Sequence, residues 1–256
     1  MEIIVPIKQV PDLVEELEIN GEGNDLDREY LTYVMNEFCE QALEEAVLLK
    51  EASGGTVTAI TIDTGEADNV LFGAAAKGAD ALIKVTGDFE DVYPDSHALA
   101  AIYAEVLSGR AYDVIMTGVQ AADDLDGQLG PLLASRLGVP HASVVAGVSA
   151  GDGGVVVSQE FGGGLMAELV LKTPCVIGIQ AAKQTPRYAP VSRVRAMKTE
   201  KTIEEVAAPS VDTPRLRVRA MRKPESSSHA EMLTGSTDDV ADKVVALLRE
   251  RGLVKA

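Results

Sequence analysis

The first half of the chain alternates short apolar runs with longer stretches in which apolar residues recur every three or four positions. The short runs predict strands at 2–7, 56–62, 81–85 and 113–117. The periodic stretches predict amphipathic helices at 37–51, 66–77, 96–107 and 126–137. Because strands that alternate with helices pair in parallel, the pattern predicts an α/β fold with a doubly wound, mostly parallel, Rossmann-like sheet.

The pattern changes after residue 140, where glycine-rich turns separate short apolar runs. These runs predict strands at 144–148, 154–159, 165–171 and 176–179, which we expect to add antiparallel pairs. Residues 180–236 lack a helical period, and we expect them to form an extended arm. Thr237, Asp238 and Asp239 are predicted to cap a last amphipathic helix. We therefore expect one α/β domain over 1–205 and a C-terminal extension over 206–256.

Composition is that of a globular protein with one large core. The chain has 256 residues, of which 46% are hydrophobic. Its apolar runs are strand-sized, far below the ~20 residues that span a bilayer. No charged and apolar leader precedes the first strand, so we expect a cytoplasmic protein. Cys39 and Cys175 are too few and too distant in sequence for a disulfide framework or a zinc site, and we expect free thiols.

Charge is distributed unevenly along the chain. The net charge is −17, which disfavours nucleic acid and anionic membrane as partners. Residues 183–223 nevertheless contain eleven Lys or Arg against four Asp or Glu. This basic segment indicates a surface that docks a partner, or an arm that lies on one. The alternative is an ordinary solvated strand and loop.

Two helix openings carry the strongest binding signal. Gly118 to Pro131, reading G-V-Q-A-A-D-D-L-D-G-Q-L-G-P, lies between a predicted strand and a predicted helix. Unpaired N–H groups and the positive end of the helix dipole converge at such a turn, which is typical of a nucleotide-phosphate site. Met35 to Ala46 also follows a loop and opens a helix. Two such openings at one sheet edge suggest a single ligand.

Three aspartates in the turn complicate this prediction, because each repels a phosphate. We expect Asp126 to cap the helix, and Asp123 or Asp124 to accept hydrogen bonds from amides of the turn. The amides of residues 127–130 then remain for the phosphate. An acidic turn without a ligand is the alternative. A calcium loop is disfavoured, because Ala122 and Leu133 occupy positions that need carboxylates.

The chain shows no self-contained active site. His97, His141 and His229 stand alone, without Cys or carboxylates at metal or triad spacing, and we expect them to be structural or on the surface. Neither G-x-x-x-x-G-K-[ST] nor G-x-G-x-x-G follows a strand. These features favour a binding protein, with no catalytic residues and no metal site, over an enzyme.

Several segments, taken in order, resemble the β subunit of electron transfer flavoprotein. They are I-K-Q-V-P-D from Ile7, N-E-F-C-E-Q-A-L-E-E-A-V-L-L-K-E from Asn36, Q-A-A-D-D-L-D-G-Q-L-G-P from Gln120 and P-R-Y-A from Pro186. The resemblance covers roughly residues 1–206. It implies a heterodimer in which this subunit holds AMP and an α subunit holds most of the FAD. It also implies electron uptake from flavin-dependent dehydrogenases, transfer onward to a quinone oxidoreductase, and packing of residues 206–256 on the α subunit.

The same resemblance assigns site residues by position. The nucleotide-lining residues are expected to be Pro6, Lys8, Asn36, Glu37, Phe38, Cys39, Ile62, Gln120, Ala121, Ala122, Asp123, Asp124, Leu125, Asp126, Gly127, Gln128, Leu129, Gly130 and Pro131. Cys39 is expected to pack against the ligand rather than act as a nucleophile. Leu13 stands where relatives commonly place an aromatic residue beside the flavin of the α subunit. The residues expected to dock dehydrogenases are Lys183, Gln184, Pro186, Arg187 and Tyr188, with Lys183 where relatives often carry leucine.

Two alternatives remain open. In bifurcating members of the family the β subunit binds a second FAD in place of AMP and oxidises NADH, and Val10-Pro11-Asp12 also occurs in that type. The run from Asn36 to Cys39 favours the AMP type. The alternative from another class is a stress-protein-like ATP-binding module that homodimerises, which Gly127, Gly130 and Gly138-Val139 fit only loosely.

Overall fold

The computed structural model describes residues 1–89, 94–211, 216, 218–224, 230 and 232–254. Its strands are β1 (Glu2–Pro6), β2 (Gln9–Pro11), β3 (Tyr33–Met35), β4 (Thr56–Ile62), β5 (Ala81–Thr86), β6 (Val114–Gly118), β7 (His141–Gly151), β8 (Gly154–Phe161), β9 (Leu165–Lys172), β10 (Cys175–Ile179) and β11 (Ile203–Ala207). Its α-helices are α1 (Glu37–Ser53), α2 (Ala67–Ala76), α3 (Ser96–Leu107), α4 (Leu129–Leu137), α5 (Val191–Glu200) and α6 (Thr237–Glu250).

Nine strands form one sheet in the order β11-β5-β4-β1-β6-β10-β7-β8-β9. All pairs from β11 to β7 are parallel, whereas β8 and β9 continue the sheet in antiparallel fashion. β2 and β3 form a separate two-stranded antiparallel pair. The expected α/β class, a mostly parallel sheet with added antiparallel strands, is therefore confirmed.

The parallel strands are buried on both faces, which explains their nearly continuous apolar sequences. Side chains alternate along β1, so that Ile3 and Val5 join one core and Ile4 joins the other. The first core contains side chains of α1, α2 and α5, and the second contains those of α3 and α4. Helices thus cover both faces, as a doubly wound sheet requires.

Two expectations for the second half were wrong in detail. β10 is a central strand, parallel to both of its neighbours, and does not add an antiparallel pair. Residues 180–236 are not extended throughout, because they contain α5 and β11. The division into 1–205 and 206–256 stays a prediction; β11 spans its boundary and lies whole in the first compact unit, Met1–Arg219.

The second compact unit, Ala220–Ala256, contains α6. Ser236, one residue before the expected cap, accepts a hydrogen bond from the N–H of Asp239 at 3.2 Å. The Asp239 carboxylate in turn accepts the N–H of Ser236 at 3.0 Å, which completes a capping box. No residue of α6 is buried. Among the described residues, no helix has the length and apolar character needed to cross a membrane.

Candidate functional site

The chain reverses its direction of travel across the sheet between β1 and β6. From β1 it proceeds to β4 and β5 on one side, and α3 then carries it back to β6 on the other side. In an open parallel sheet, the crevice at the carboxyl ends of two such strands is the usual place for a ligand. A cleft lies there, built from the segments that follow β1 and β6 and from α1 and α3.

Many of the expected nucleotide-lining residues lie in this cleft: Pro6, Lys8, Asn36, Cys39, Gln120, Ala121, Asp124, Gly127 and Leu129. The lining does not include Glu37, Phe38, Ile62, Ala122, Asp123, Leu125, Asp126, Gln128, Gly130 or Pro131. Of these, Ile62 is a buried core residue at the end of β4. Gly118 and Val119, from the glycine-spaced turn singled out in the sequence, also line the cleft, whereas Ile7, Ser96, Leu99 and Tyr103 were not expected there. Asp95 is the N-cap of α3 and marks a third helix opening. This capping residue could have indicated from the sequence that Ser96 belongs to the site.

Asn36 ties the two halves of the cleft together. It is the N-cap residue of α1, although its side chain makes no capping hydrogen bond, and it is almost fully buried. Its Nδ2 donates to the carbonyl of Gln120 at 2.9 Å, and its Oδ1 accepts from the N–H of Ala122 at 3.3 Å. Its own N–H donates to the carbonyl of Lys8 at 2.9 Å. Through its side chain and its backbone, this one residue therefore joins the turn after β6 to the segment after β1.

Two aspartates of the acidic turn have partners within the chain. Asp123 forms an ion pair with Lys8, at 2.7 Å between Oδ1 and Nζ. Asp124 accepts a hydrogen bond from the hydroxyl of Ser96. The backbones of Ala121 and Asp124 exchange two hydrogen bonds of 3.1 Å, so the turn closes on itself. Asp126 does not cap α4 as expected, because the helix begins later and its N-cap is Gln128.

α4 points the start of its first turn toward the cleft. Leu129 and Gly130 are its first residues, and amides at this position have no carbonyl partner within a helix. Pro131 carries no N–H, so it adds no further unpaired donor. Beneath this turn, Thr117 Oγ1 and His141 Nε2 are buried without a hydrogen-bond partner, and each would lie 3.1 Å from a Cβ placed on Gly130. Burial lowers the pKa of His141, which favours a neutral imidazole.

Two histidines other than His141 were singled out in the sequence. His97 lies in the first turn of α3, and His229 lies outside the described residues. Within the described part of the chain, no group of three or more His, Cys, Asp or Glu side chains is placed to hold a metal ion. Leu13 is 65% exposed, in the loop after β2.

Both cysteines are free and buried, and both pKa values are raised. Burial is the main cause of the raised pKa of Cys39, although its Sγ accepts the N–H of Lys8 at 3.4 Å. Burial also raises the pKa of Cys175 to about 11.

Since the thiolate is the reactive form of cysteine, we expect neither thiol to react with a disulfide reagent at pH 8 within minutes. Both thiols should react once the chain is unfolded in guanidinium. Rapid labelling of the folded chain would contradict the burial of the two thiols.

The expected docking residues lie on the irregular segment between β10 and α5. Lys183 directs its ammonium to the carbonyl of Val148 at 2.6 Å, and Arg187 forms ion pairs with Glu44 and Glu51. Both cations are therefore engaged by the chain itself. Gln184 is exposed, Pro186 is partly buried, and Tyr188 is 83% exposed.

Comparisons with known proteins bear on this site and on the whole chain. A sequence model of the electron transfer flavoprotein domain matches residues 24–211. The electron transfer flavoprotein subunit beta of Methylophilus methylotrophus is 33% identical over 98% of this chain and 98% of its own length. That of Dictyostelium discoideum is 28% identical over 99% of each chain. The acryloyl-CoA reductase electron transfer subunit gamma of Anaerotignum propionicum is 33% identical over 73% of this chain and 71% of its own.

Proposed function

The chain belongs to the β-subunit family of electron transfer flavoproteins, with a role in electron transfer, and from this premise we propose that it binds AMP as a structural ligand. The observation that carries the proposal is the cleft at the carboxyl ends of β1 and β6, which the start of α4 faces. Unpaired amides and the positive end of the dipole of α4 suit a phosphate group.

Internal partners reduce the repulsion between the acidic turn and a phosphate, and the amides and dipole of α4 must outweigh the repulsion that is left. Lys8 neutralises Asp123, and the Ser96 hydroxyl donates to Asp124, so two of the three aspartates are occupied within the chain. Apolar side chains of Ile7, Leu99 and Leu129 line other parts of the cleft, where they suit a purine base. The residues present therefore fit an adenine nucleotide.

The proposed partner is an α subunit that holds most of the FAD. In such a complex a flavin-dependent dehydrogenase would reduce the FAD while its own flavin is oxidised, and a quinone oxidoreductase would take the electrons onward. This chain would act as a carrier subunit and not as an enzyme. The exposed apolar side chains of α6, Val244, Val245 and Leu247, would pack on the α subunit. Two free buried thiols suit the proposed cytoplasmic compartment.

Identification of the bound nucleotides tests the proposal. The α/β complex is purified, denatured, and its released nucleotides are separated and quantified. We expect one AMP and one FAD per complex, and a colourless preparation when this chain is expressed alone. Two FAD per complex would contradict AMP as the ligand and support the bifurcating alternative. ATP in a homodimer of this chain would support the stress-protein-like module, and a yellow, stable monomer would contradict the assignment of FAD to the α subunit.

A further inference from the structure

The helix α3 contributes one stripe of side chains to the cleft. Ser96, Leu99 and Tyr103 all line it, at the spacing of three and four residues that places side chains on one face of a helix. Asp95 caps this helix, because its side chain accepts the N–H of Ala98 at 2.9 Å. The hydroxyl of Ser96 is therefore not needed to cap its own helix and can bond another part of the chain.

Ser96 uses this hydroxyl to hold Asp124 in the turn after β6. The hydroxyl donates to Oδ2 of Asp124, which lies 28 residues further along the chain. Both residues line the cleft, and Ser96 is only 8% exposed, so water competes little for the bond. A hydrogen bond to a carboxylate is also stronger than one between neutral groups. The bond therefore determines where the carboxylate of Asp124 lies.

Asp124 is the aspartate of the turn whose charge matters most to a phosphate. Lys8 neutralises Asp123, at 2.7 Å between Nζ and Oδ1. Asp123 and Asp126 are also exposed, so water and salt screen their charges. Asp124 is partly buried and lines the cleft. Because its charge is screened less, it repels an anion in the cleft more strongly than the other two do.

A carboxylate in this turn also competes with a phosphate for the same amides. Gln128, the N-cap of α4, makes no capping bond with its side chain, and the first amides of the helix belong to Leu129 and Gly130. Aspartate is among the side chains that most readily accept hydrogen bonds from such amides. The bond from Ser96 satisfies the carboxylate of Asp124 and leaves the amides to a ligand.

We infer that Ser96 is a positioning residue for the phosphate of the nucleotide: its hydroxyl holds the carboxylate of Asp124 so that the carboxylate does not occupy the amides that open α4. The inference rests on the proposed function, because it needs a nucleotide phosphate in the cleft. It adds a residue of α3 to a site whose residues, as expected from the sequence, include none from that helix.

Four variants and one control test this role. Ser96→Ala removes the hydroxyl and leaves the cap of α3 in place, whereas Ser96→Thr keeps a hydroxyl at the same position. Asp124→Asn removes the charge, and a double variant combines it with Ser96→Ala. Ser108→Ala is the matched control, since Ser108 is an exposed residue at the other end of α3.

The measurement is the rate at which bound AMP exchanges for radiolabelled AMP in the purified α/β complex. We expect Ser96→Ala to exchange AMP about tenfold faster than the wild type, the order of effect expected when a capping carboxylate competes for the same amides. Ser96→Thr should restore slow exchange, and the control should exchange at the wild-type rate. Asp124→Asn should exchange AMP no faster than the wild type. In that background Ser96→Ala should have little further effect, because the charge that Ser96 holds is gone.

Other results would overturn the inference. Exchange in Ser96→Ala at the rate of the control would show that the hydroxyl does not help to hold the phosphate. Equal acceleration by Ser96→Ala with and without Asp124→Asn would show that Ser96 does not act through the charge of Asp124. If Ser96→Ala does not assemble, much faster exchange in Asp124→Asn would overturn the inference by itself, since the carboxylate would then help to hold the ligand. A wild-type complex without AMP contradicts the proposed function, whereas a complex that holds AMP and fails these tests contradicts the inference alone.

Discussion

Gly127→Ala is expected to destabilise the protein by about 2–4 kcal/mol and to lower the nucleotide content of the complex severalfold. Gly127 has φ +63°, a left-handed conformation that side chains with a Cβ disfavour. A Cβ at this position would lie 2.5 Å from the carbonyl oxygen of Val119. That oxygen belongs to the backbone just after β6, so the turn itself must move. Since Val119 and Gln120 line the cleft, the displacement reaches the proposed ligand.

Gly138→Ala is the matched control. Gly138 ends α4 with φ +67°, yet no atom lies within 4 Å of the position of a Cβ. Gly138→Ala should therefore destabilise the protein by about 1 kcal/mol, which is the cost of the left-handed conformation alone. Thermal unfolding and quantification of released nucleotide check both variants. The melting temperature should fall by ~2–4 °C for each kcal/mol of lost stability. Equal melting temperatures and equal nucleotide contents in the two variants would show that contact with Val119 does not matter.

Local patterns were sufficient for most helices and strands of the first half. The bounds of β4 and α3 agree with those expected from the sequence, because each pattern is strong and is bounded by turn residues or by a cap. α5 was missed because its apolar positions, Val191, Val194 and Met197, are interrupted by basic residues and only Met197 is buried. A helix of ten residues with one buried side chain leaves little periodicity to detect.

The order of the strands could not be derived from local patterns. β10 is fully buried along its whole length, which is typical of a central parallel strand, but a short apolar run does not specify its neighbours. The same limit applies to the site. The position of the cleft follows from helix openings at one sheet edge, whereas the contacts of Asn36 with Gln120 and of Ser96 with Asp124 join distant parts of the chain. Only the fold brings such groups together.

Arg187→Met is expected to destabilise the protein by about 3 kcal/mol, the largest effect we expect from removing a single charge. Glu44 is 5% exposed, and Arg187 contacts both of its oxygens, at 2.9 Å from Nε to Oε2 and 2.9 Å from Nη2 to Oε1. Removal of the guanidinium leaves a buried carboxylate with the N–H of residue 187 as its remaining partner. The loss of stability should lie at the lower end of the range for broken buried ion pairs, because the Arg187 side chain is 33% exposed and water can reach the site.

Arg193→Met provides the surface comparison for this prediction. Arg193 and its partner Glu200 are 52% and 51% exposed, so loss of their ion pair should change stability by less than about 1 kcal/mol. Thermal unfolding of the two variants measures the difference. In Glu44→Gln, where the buried charge is already absent, Arg187→Met should cost much less than in the wild-type chain. If Arg187→Met is as mild as Arg193→Met, the buried carboxylate does not need its cation, and Arg187 is free to serve as a docking residue after all.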